Sequence, residues 1–141
     1  HTIPLFIDSK TLPLNFLYYE SVCRLMYDVN NRTAPENILD LFSRTSDVHS
    51  YSTRSTSSQN FYVKESRLNA QKNAFSRIGA HSWNRIPSCL RTLTKNSFKR
   101  KLKEILLDLL ETENSYINVL AIASKIENYD LDHLEMVYYS L

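Results

Sequence analysis

Residues 97–110 read SFKRKLKEILLDLL, a stretch in which large apolar side chains recur at the spacing of one helix face. The apolar positions are Phe98, Leu102, Ile105, Leu106, Leu109 and Leu110. Apolar residues spaced three and four apart form a stripe on one side of an α-helix, and that stripe is buried against other elements. The stretch therefore predicts an amphipathic helix that begins near Asn96 or Ser97.

Two further helices are predicted upstream of this stretch. The first runs from about Pro13 to Asn30, and Pro13 suits its first turn because the missing N–H costs nothing there. Its predicted apolar face consists of Leu14, Leu17, Tyr18, Val22, Leu25, Met26 and Val29. Thr33 and Glu36 have the spacing of a capping box, which predicts a second, short helix after them.

Another helix is predicted from Phe75 to about Ile86, where Pro87 ends it. It contains Gly79, the only glycine of the chain, and glycine inside a helix costs roughly 1 kcal/mol relative to alanine. We therefore expect a neighbouring backbone or aromatic ring to pack directly on Gly79. Weaker apolar patterns at about 116–126 and 131–138 predict one more helix and a short final one.

The composition favours helices over a sheet. A single glycine in 141 residues leaves few positions for the tight turns that sheet-rich folds require. The Ser/Thr-rich stretch 43–60 is predicted to be a loop, and the sequence also allows a short β-hairpin near 61–75. The predicted fold class is thus mainly α, a small domain of about five or six helices.

The charge of the chain is strongly polarised. Residues 43–103 carry 13 Lys/Arg and 2 Asp/Glu, whereas residues 1–42 carry 3 and 5, and residues 104–141 carry 1 and 8. The overall charge of +2 therefore conceals a basic middle segment of +11. Such a block repels itself unless anions meet it, and these are the acidic tail of the chain, a nucleic acid, or both.

Several classes of site are not indicated by the sequence. Cys23 and Cys89 are lone thiols and the four histidines are scattered, so we expect neither a metal nor another cofactor. Reduced cysteines and the lack of a signal pattern predict an intracellular location, in the cytoplasm or the nucleus. No apolar run approaches a membrane span, and no catalytic motif is present, so we expect no membrane partner and no small-molecule substrate.

The basic middle segment, residues 43–103, interleaves cations with aromatic rings. The candidate nucleic-acid-binding residues are Arg54, Lys64, Arg67, Lys72, Arg77, Arg85, Lys95, Lys99, Arg100, Lys101 and Lys103. The rings among them are Tyr51, Phe61, Tyr62, Phe75 and Trp83. Cations that neutralise phosphates and rings that stack on bases are ingredients of single-strand or hybrid binding. Alternatively the rings belong to the core and the cations form a solvated face.

Three strings in this order resemble the region after the polymerase core in reverse transcriptases of non-long-terminal-repeat, LINE-type, jockey-like retrotransposons. They are HSYSTR at 49–54, FSRIGAHSWNRIP at 75–87 and SFKRKLKEILL at 97–107. The upstream strings at 12–29 and 34–42 are also similar to that family, and the resemblance covers about residues 10–118. It marks Trp83, Asn84 and Pro87 as a signature helix, and Tyr51, Thr53 and Arg54 as a signature loop.

The resemblance implies a non-catalytic module from the C-terminal part of an RNA-directed DNA polymerase. Residues 1–118 would form a post-polymerase helical module, and residues 119–141 an acidic helical tail of unknown relation. The palm motif with its Ala-Asp-Asp aspartates is absent, so the chain by itself should not polymerise. Its expected partners are RNA or DNA, bound without sequence preference, and the polymerase core. The start at His1 rather than Met is consistent with a piece of a longer product.

Two alternatives remain open at this point. In the first, the chain is a structural module that docks on the polymerase core, and nucleic acid plays no part. In the second, it derives from a decayed reading frame without activity.

Overall fold

The computed structural model describes residues 3–48, 50–51, 54, 59–63, 67–68, 74–113 and 117–132. Its helices are α1 (Ile3–Ser9), α2 (Leu14–Asn30), α3 (Glu36–Leu39), α4 (Thr45–Val48), α5 (Phe75–Asn84), α6 (Ser88–Arg91), α7 (Lys95–Glu113) and α8 (Val119–Glu127). The mainly helical fold class is confirmed, and no strand occurs in these ranges. None of the described helices is both long and apolar enough to cross a membrane.

The two longest helices, α2 and α7, lie antiparallel. Tyr27 near the end of α2 stacks on Phe98 near the start of α7, with ring centroids 4.9 Å apart. At the opposite end, Asn15 Nδ2 donates a hydrogen bond to the carbonyl of Ile117, just beyond α7, at 3.1 Å. The helix predicted from the 97–110 stretch is confirmed, and all six of its apolar residues are buried.

The predicted face of α2 is wrong in its first half. Leu14, at 80% exposure, faces solvent, and Leu17 and Tyr18 are also exposed. Phe16 and Tyr19 are fully buried in their place. The first two turns of α2 are apolar on both sides, so periodicity alone does not select the buried side. Burial of the two rings inside the core removes more apolar surface from water than burial of the leucines would.

The helix around Gly79 is confirmed, and so is the reason for its glycine. α5 ends at Asn84, close to the predicted end, and Pro87 follows. A Cβ on Gly79 would lie 2.8 Å from Met26 Sδ and 3.3 Å from Phe42 Cζ. These distances are shorter than van der Waals contact, so the side chains of Met26 on α2 and of Phe42, three residues after α3, pack on α5 as closely as they do because Gly79 has no side chain.

The predicted capping box at Thr33 is wrong. α3 begins at Glu36 after Pro35, and no side chain caps it. Thr33 instead donates from its N–H to the carbonyl of Asp28 at 2.8 Å. Its hydroxyl lies 3.3 Å from the same carbonyl oxygen. Thr33 therefore satisfies a carbonyl at the end of α2, because the backbone turns at positive φ through Arg32 before α3 starts.

The extended piece at Phe61 pairs with Arg44 in an isolated antiparallel bridge. In the hairpin allowed by the sequence, its partner would be the stretch before Phe75, and residues 69–73 of that stretch lie outside the described residues. The bridge joins the two ends of the 43–60 segment. Within this predicted loop, Thr45–Val48 form the short helix α4.

Helix α8 belongs to the same core as the helices before it. Ile122, Ala123 and Ile126 are buried in the cluster that also contains the apolar faces of α2 and α7. Asn118 caps α8 by accepting a hydrogen bond from the N–H of Ala121 at 2.8 Å. The first part of the acidic tail is therefore core structure, while most of the predicted final helix at 131–138 lies outside the described residues.

Candidate nucleic-acid interface

The first nine residues of α7 carry the densest group of cations in the described chain. They are Lys95, Lys99, Arg100, Lys101 and Lys103. With a rise of about 1.5 Å per residue, these cations occupy about 12 Å of helix. The opposite side of the same turns holds Phe98 and Leu102 in the core, so α7 is fixed with this cationic side turned outward.

Three of these cations form what we call the α7 cationic face: Lys99, Arg100 and Lys103. Arg100 and Lys103 are exposed, and Lys99 is half-buried. Among the described carboxylates, none lies within ion-pairing distance of these three side chains. Residues three and four apart lie on the same side of a helix, so their charges add at one surface.

Lys95, at the start of α7, is engaged within the protein. Its Nζ lies 3.0 Å from Oδ1 of Asp28 and 3.1 Å from Oδ2, near the end of α2. This ion pair lies beside the Tyr27–Phe98 stack and links the same two helices. Lys95 therefore contributes less free charge to the surface than its neighbours do.

Arg77 and His81 on α5 and Arg85, which directly follows the helix in helical conformation, lie on one side because the three residues are spaced four apart. Arg85 Nη1 donates to Glu127 Oε2 on α8 at 2.8 Å, and its Nε donates to Nε2 of His81 at 2.9 Å. The buried Nε of Arg77 has no hydrogen-bond partner in the part of the chain that the structure describes. Burial, followed by the charges of Arg85 and Arg77, lowers the pKa of His81 below its ordinary value near 6.5.

Two arginines of the basic middle segment have structural roles that the sequence did not indicate. Arg91 donates to the carbonyls of Ile86 and Asn84, both at 2.8 Å, and to Asn60 Oδ1 at 3.0 Å. Burial, and then the charge of Arg44, lowers the pKa of Arg91. Arg91 therefore ties the turn after α5 to the extended piece before Phe61.

Arg44 holds the extended segment before Phe61 from the side opposite to Arg91. Its guanidinium donates to the carbonyl of Gln59 at 2.6 Å and to Asn30 Oδ1 at 2.9 Å. The group also lies 4.1 Å from the centroid of the Phe61 ring, which is a cation–π contact. Burial lowers the pKa of Arg44, opposed by the charge of Asp47.

The side chain of Asn84, in the signature helix, holds the backbone of Phe61. The N–H of Phe61 donates to Asn84 Oδ1, and Asn84 Nδ2 donates to the carbonyl of Phe61, each at 2.8 Å. The side-chain amide therefore acts as a one-residue strand partner. A glutamine or an aspartate could not make the same pair, since the first is longer and the second lacks the donor.

Most rings of the basic segment are not available to bases. Trp83 and Phe61 are buried, and Phe75 is half-buried with its ring 5.8 Å from that of Phe42. Tyr51 and Tyr62 are exposed, at 63% and 36%. Of the two interpretations that the sequence left open, the core interpretation is therefore confirmed for Trp83, Phe61 and Phe75.

The remaining candidate cations are placed only in part. Arg54 and Arg67 are exposed in the segments around 54 and 67–68, and Lys101 is half-buried on α7. Lys64 and Lys72, as well as Thr53 of the signature loop, lie outside the described residues.

Arg85 and Glu127 form an ion pair that joins residues 43–103 to residues 104–132. Lys125 of the tail pairs with Glu113 at 3.1 Å, and Asp108 accepts a hydrogen bond from the hydroxyl of Tyr129 at 2.5 Å. The tail thus satisfies several of its carboxylates locally.

The geometry provides no nucleophile at Cys23. This thiol is fully buried on α2, and burial raises its pKa to about 12. A thiol with such a pKa stays protonated at neutral pH, and the thiolate is the reactive form. Across the described ranges, no three His, Cys, Asp or Glu side chains are grouped so that they could hold a metal ion.

Comparisons of the chain with protein-family models, with curated proteins and with solved structures find no match. The arrangement of the described side chains is therefore the basis for a functional assignment, together with the resemblance of the three sequence strings.

Proposed function

We propose that this chain is a non-catalytic nucleic-acid-binding module from the C-terminal part of a non-long-terminal-repeat retrotransposon reverse transcriptase. In this role it helps to hold template RNA or target DNA against the polymerase core. The resemblance of the strings at 49–54, 75–87 and 97–107 supports the parentage. The distribution of charge supports the ligand.

One observation carries the ligand assignment. Lys99, Arg100 and Lys103 share one side of α7, and no described carboxylate pairs with them, although the chain contains 15 acidic residues. Cations in the first turns of a helix also oppose the helix macrodipole, so they do not stabilise α7 by that route. A surface that costs stability and lacks internal counter-ions fits an external polyanion.

The binding mode that fits this surface uses phosphates rather than stacked bases. The rings of Trp83 and Phe61 are buried in the core, so the exposed cations are the main groups that can contact a ligand. Contacts to the phosphate backbone carry no sequence information and release condensed counterions. We therefore expect binding without sequence preference and with a strong dependence on salt.

Titration of the purified chain with a labelled duplex tests this proposal. If about 4–6 phosphates are engaged, the logarithm of the binding constant falls with log salt at a slope of roughly −4 to −5. Raising salt from about 50 mM to about 200 mM then weakens binding about 250- to 1,000-fold. Absence of binding at the lower salt concentration, or binding that salt does not weaken, would contradict the proposal.

A second candidate function, docking on a protein surface such as the polymerase core, is favoured by a different observation. Leu14 and Leu17 on α2 and Leu120 on α8 are exposed, and the starts of these helices are adjacent because Asn15 bonds to the carbonyl of Ile117. Exposed apolar side chains grouped in this way are typical of interaction sites. Under this alternative, the double substitution Leu14→Ser with Leu120→Ser abolishes association with the polymerase core and leaves binding to the duplex unchanged.

A further inference from the structure

Arg77, His81 and Arg85 form a second cationic surface, separate from the α7 cationic face. The three side chains lie on one side of α5, and the carboxylate that faces them is Glu127 of α8. Two permanent cations and one titratable imidazole thus share a single described counter-ion. The lowered pKa of His81 is consistent with this excess of positive charge.

The hydrogen bonding of this surface is incomplete. Arg85 uses Nε on His81 and Nη1 on Glu127. The Nε of Arg77, by contrast, is buried and unpartnered among the described residues. A buried N–H without an acceptor is unfavourable, and a guanidinium offers a planar fork of donors that matches a phosphate.

We propose that Arg77, His81 and Arg85 bind a phosphate group, and that the carboxylate of Glu127 occupies this site in the free protein. The phosphate accepts the hydrogen bond that Arg85 Nη1 now gives to Glu127, and it supplies an acceptor to Arg77 once the Arg77 side chain turns outward. This site extends the proposed function. It rests on that function only in one respect, namely that the bound phosphate belongs to the backbone of a nucleic acid.

The Glu127 carboxylate can leave without loss of the core. The side chains of Arg85 and Glu127 are 34% and 48% exposed, and ion pairs with that exposure add little to stability. Glu127 is also the last residue of α8, whose buried residues Ile122, Ala123 and Ile126 hold the helix in place. Exchange of one acceptor for another therefore requires a side-chain movement only.

In the free protein Nε2 of His81 accepts the hydrogen bond of Arg85 Nε, so protonation of the imidazole gives up that bond. The added positive charge nevertheless strengthens the site for a phosphate. The charged groups that face the imidazole are Arg77 on α5, Arg85 directly after α5, and Glu127 on α8. A bound phosphate adds negative charge beside the ring and so favours the imidazolium form. By linkage, phosphate binding raises the pKa of His81, and affinity for phosphate increases as the pH falls through that pKa.

Glu127→Gln tests the competition, and Glu113→Gln provides a matched control. Both substitutions remove one carboxylate from an ion pair of the tail, but Glu113 faces Lys125 rather than α5. We expect Glu127→Gln to bind the labelled duplex about eightfold more tightly at about 100 mM salt, with a salt slope steeper by about 0.9, as for one additional phosphate. Adding Arg77→Gln to Glu127→Gln should remove the gain. Equal affinities of the Glu127→Gln and Glu113→Gln variants would overturn the proposal.

Inorganic pyrophosphate separates this site from the proposed function, because it needs no nucleic-acid binding. The pKa of His81, followed by NMR in the Glu127→Gln variant, should rise when pyrophosphate is added. Added chloride at equal ionic strength should leave it unchanged. A His81 pKa that does not respond to saturating pyrophosphate would refute the site, even if the duplex binds through α7. A pyrophosphate response without any duplex binding would support the site and refute the nucleic-acid function.

Discussion

Cations lie both around Phe61 and along the first half of α7, but the protein uses the two groups in opposite ways. Arg91 and Arg44 are held by backbone carbonyls and amide oxygens around Phe61. Arg100 and Lys103 are exposed and form no ion pair with a described carboxylate. A count of lysines and arginines in the sequence treats the two groups alike. Their hydrogen-bond partners show which group remains available to a ligand.

The largest expected effect that separates the two regions is that of Arg91→Ala. Its guanidinium makes three hydrogen bonds in a half-buried position, so the variant should lose about 3 kcal/mol of unfolding free energy. Arg91→Lys should recover only part of this loss, because an ammonium lacks the fork geometry. Chemical denaturation measures both values, and Arg100→Ala serves as the control with a change below about 0.5 kcal/mol. Equal losses for Arg91→Ala and Arg100→Ala would remove the distinction between the regions.

A smaller effect is expected at Asn84. Asn84→Ala leaves both the N–H and the carbonyl of Phe61 without their partners, which should cost about 2 kcal/mol. Asn84→Asp keeps the acceptor and loses the donor, so its cost should be comparable once the repulsion between its carboxylate and the Phe61 carbonyl is included. Denaturation curves of the two variants check this expectation. An Asn84→Ala variant as stable as the parent would mean that the amide does not hold Phe61.

The smallest effect concerns the pH dependence at His81. Because its pKa is lowered in the folded protein, the unfolded chain binds more protons between the folded pKa and about 6.5. Stability should therefore decrease as the pH falls below about 6.5 and level off below the folded pKa. His81→Gln keeps an acceptor for Arg85 but does not titrate, so this variant should lose that part of the pH dependence. Identical pH profiles for the two proteins would contradict the lowered pKa.

The sequence predicted which stretches form the two long helices, but it predicted the buried side correctly only for α7. α7 has a single apolar stripe, and that stripe is the buried one. In α2 both sides of the first turns are apolar, and the choice of Phe16 and Tyr19 over Leu14 and Leu17 depends on which helices pack there. Local periodicity contains no information about that choice.

The candidate site was predictable as a segment but not as a surface. The basic middle segment was evident from charge alone. The engagement of Arg44 and Arg91 depends on Asn30, Gln59 and Asn60, which lie 14, 15 and 31 residues away along the chain. Contacts over such separations appear only when the helices are assembled. A hint was present in the signature helix, since a polar Asn84 directly after a buried Trp83 indicates an amide with a structural task.

The most direct test of the central claim removes two cations of the α7 cationic face. Arg100→Gln with Lys103→Gln should not lower stability and should reduce the magnitude of the salt slope for duplex binding by about 2. Arg24→Gln with Lys125→Gln, which removes the same charge from surface ion pairs elsewhere, should leave the slope unchanged. A slope that falls equally in both double variants, or in neither, would contradict the assignment of this face to nucleic acid.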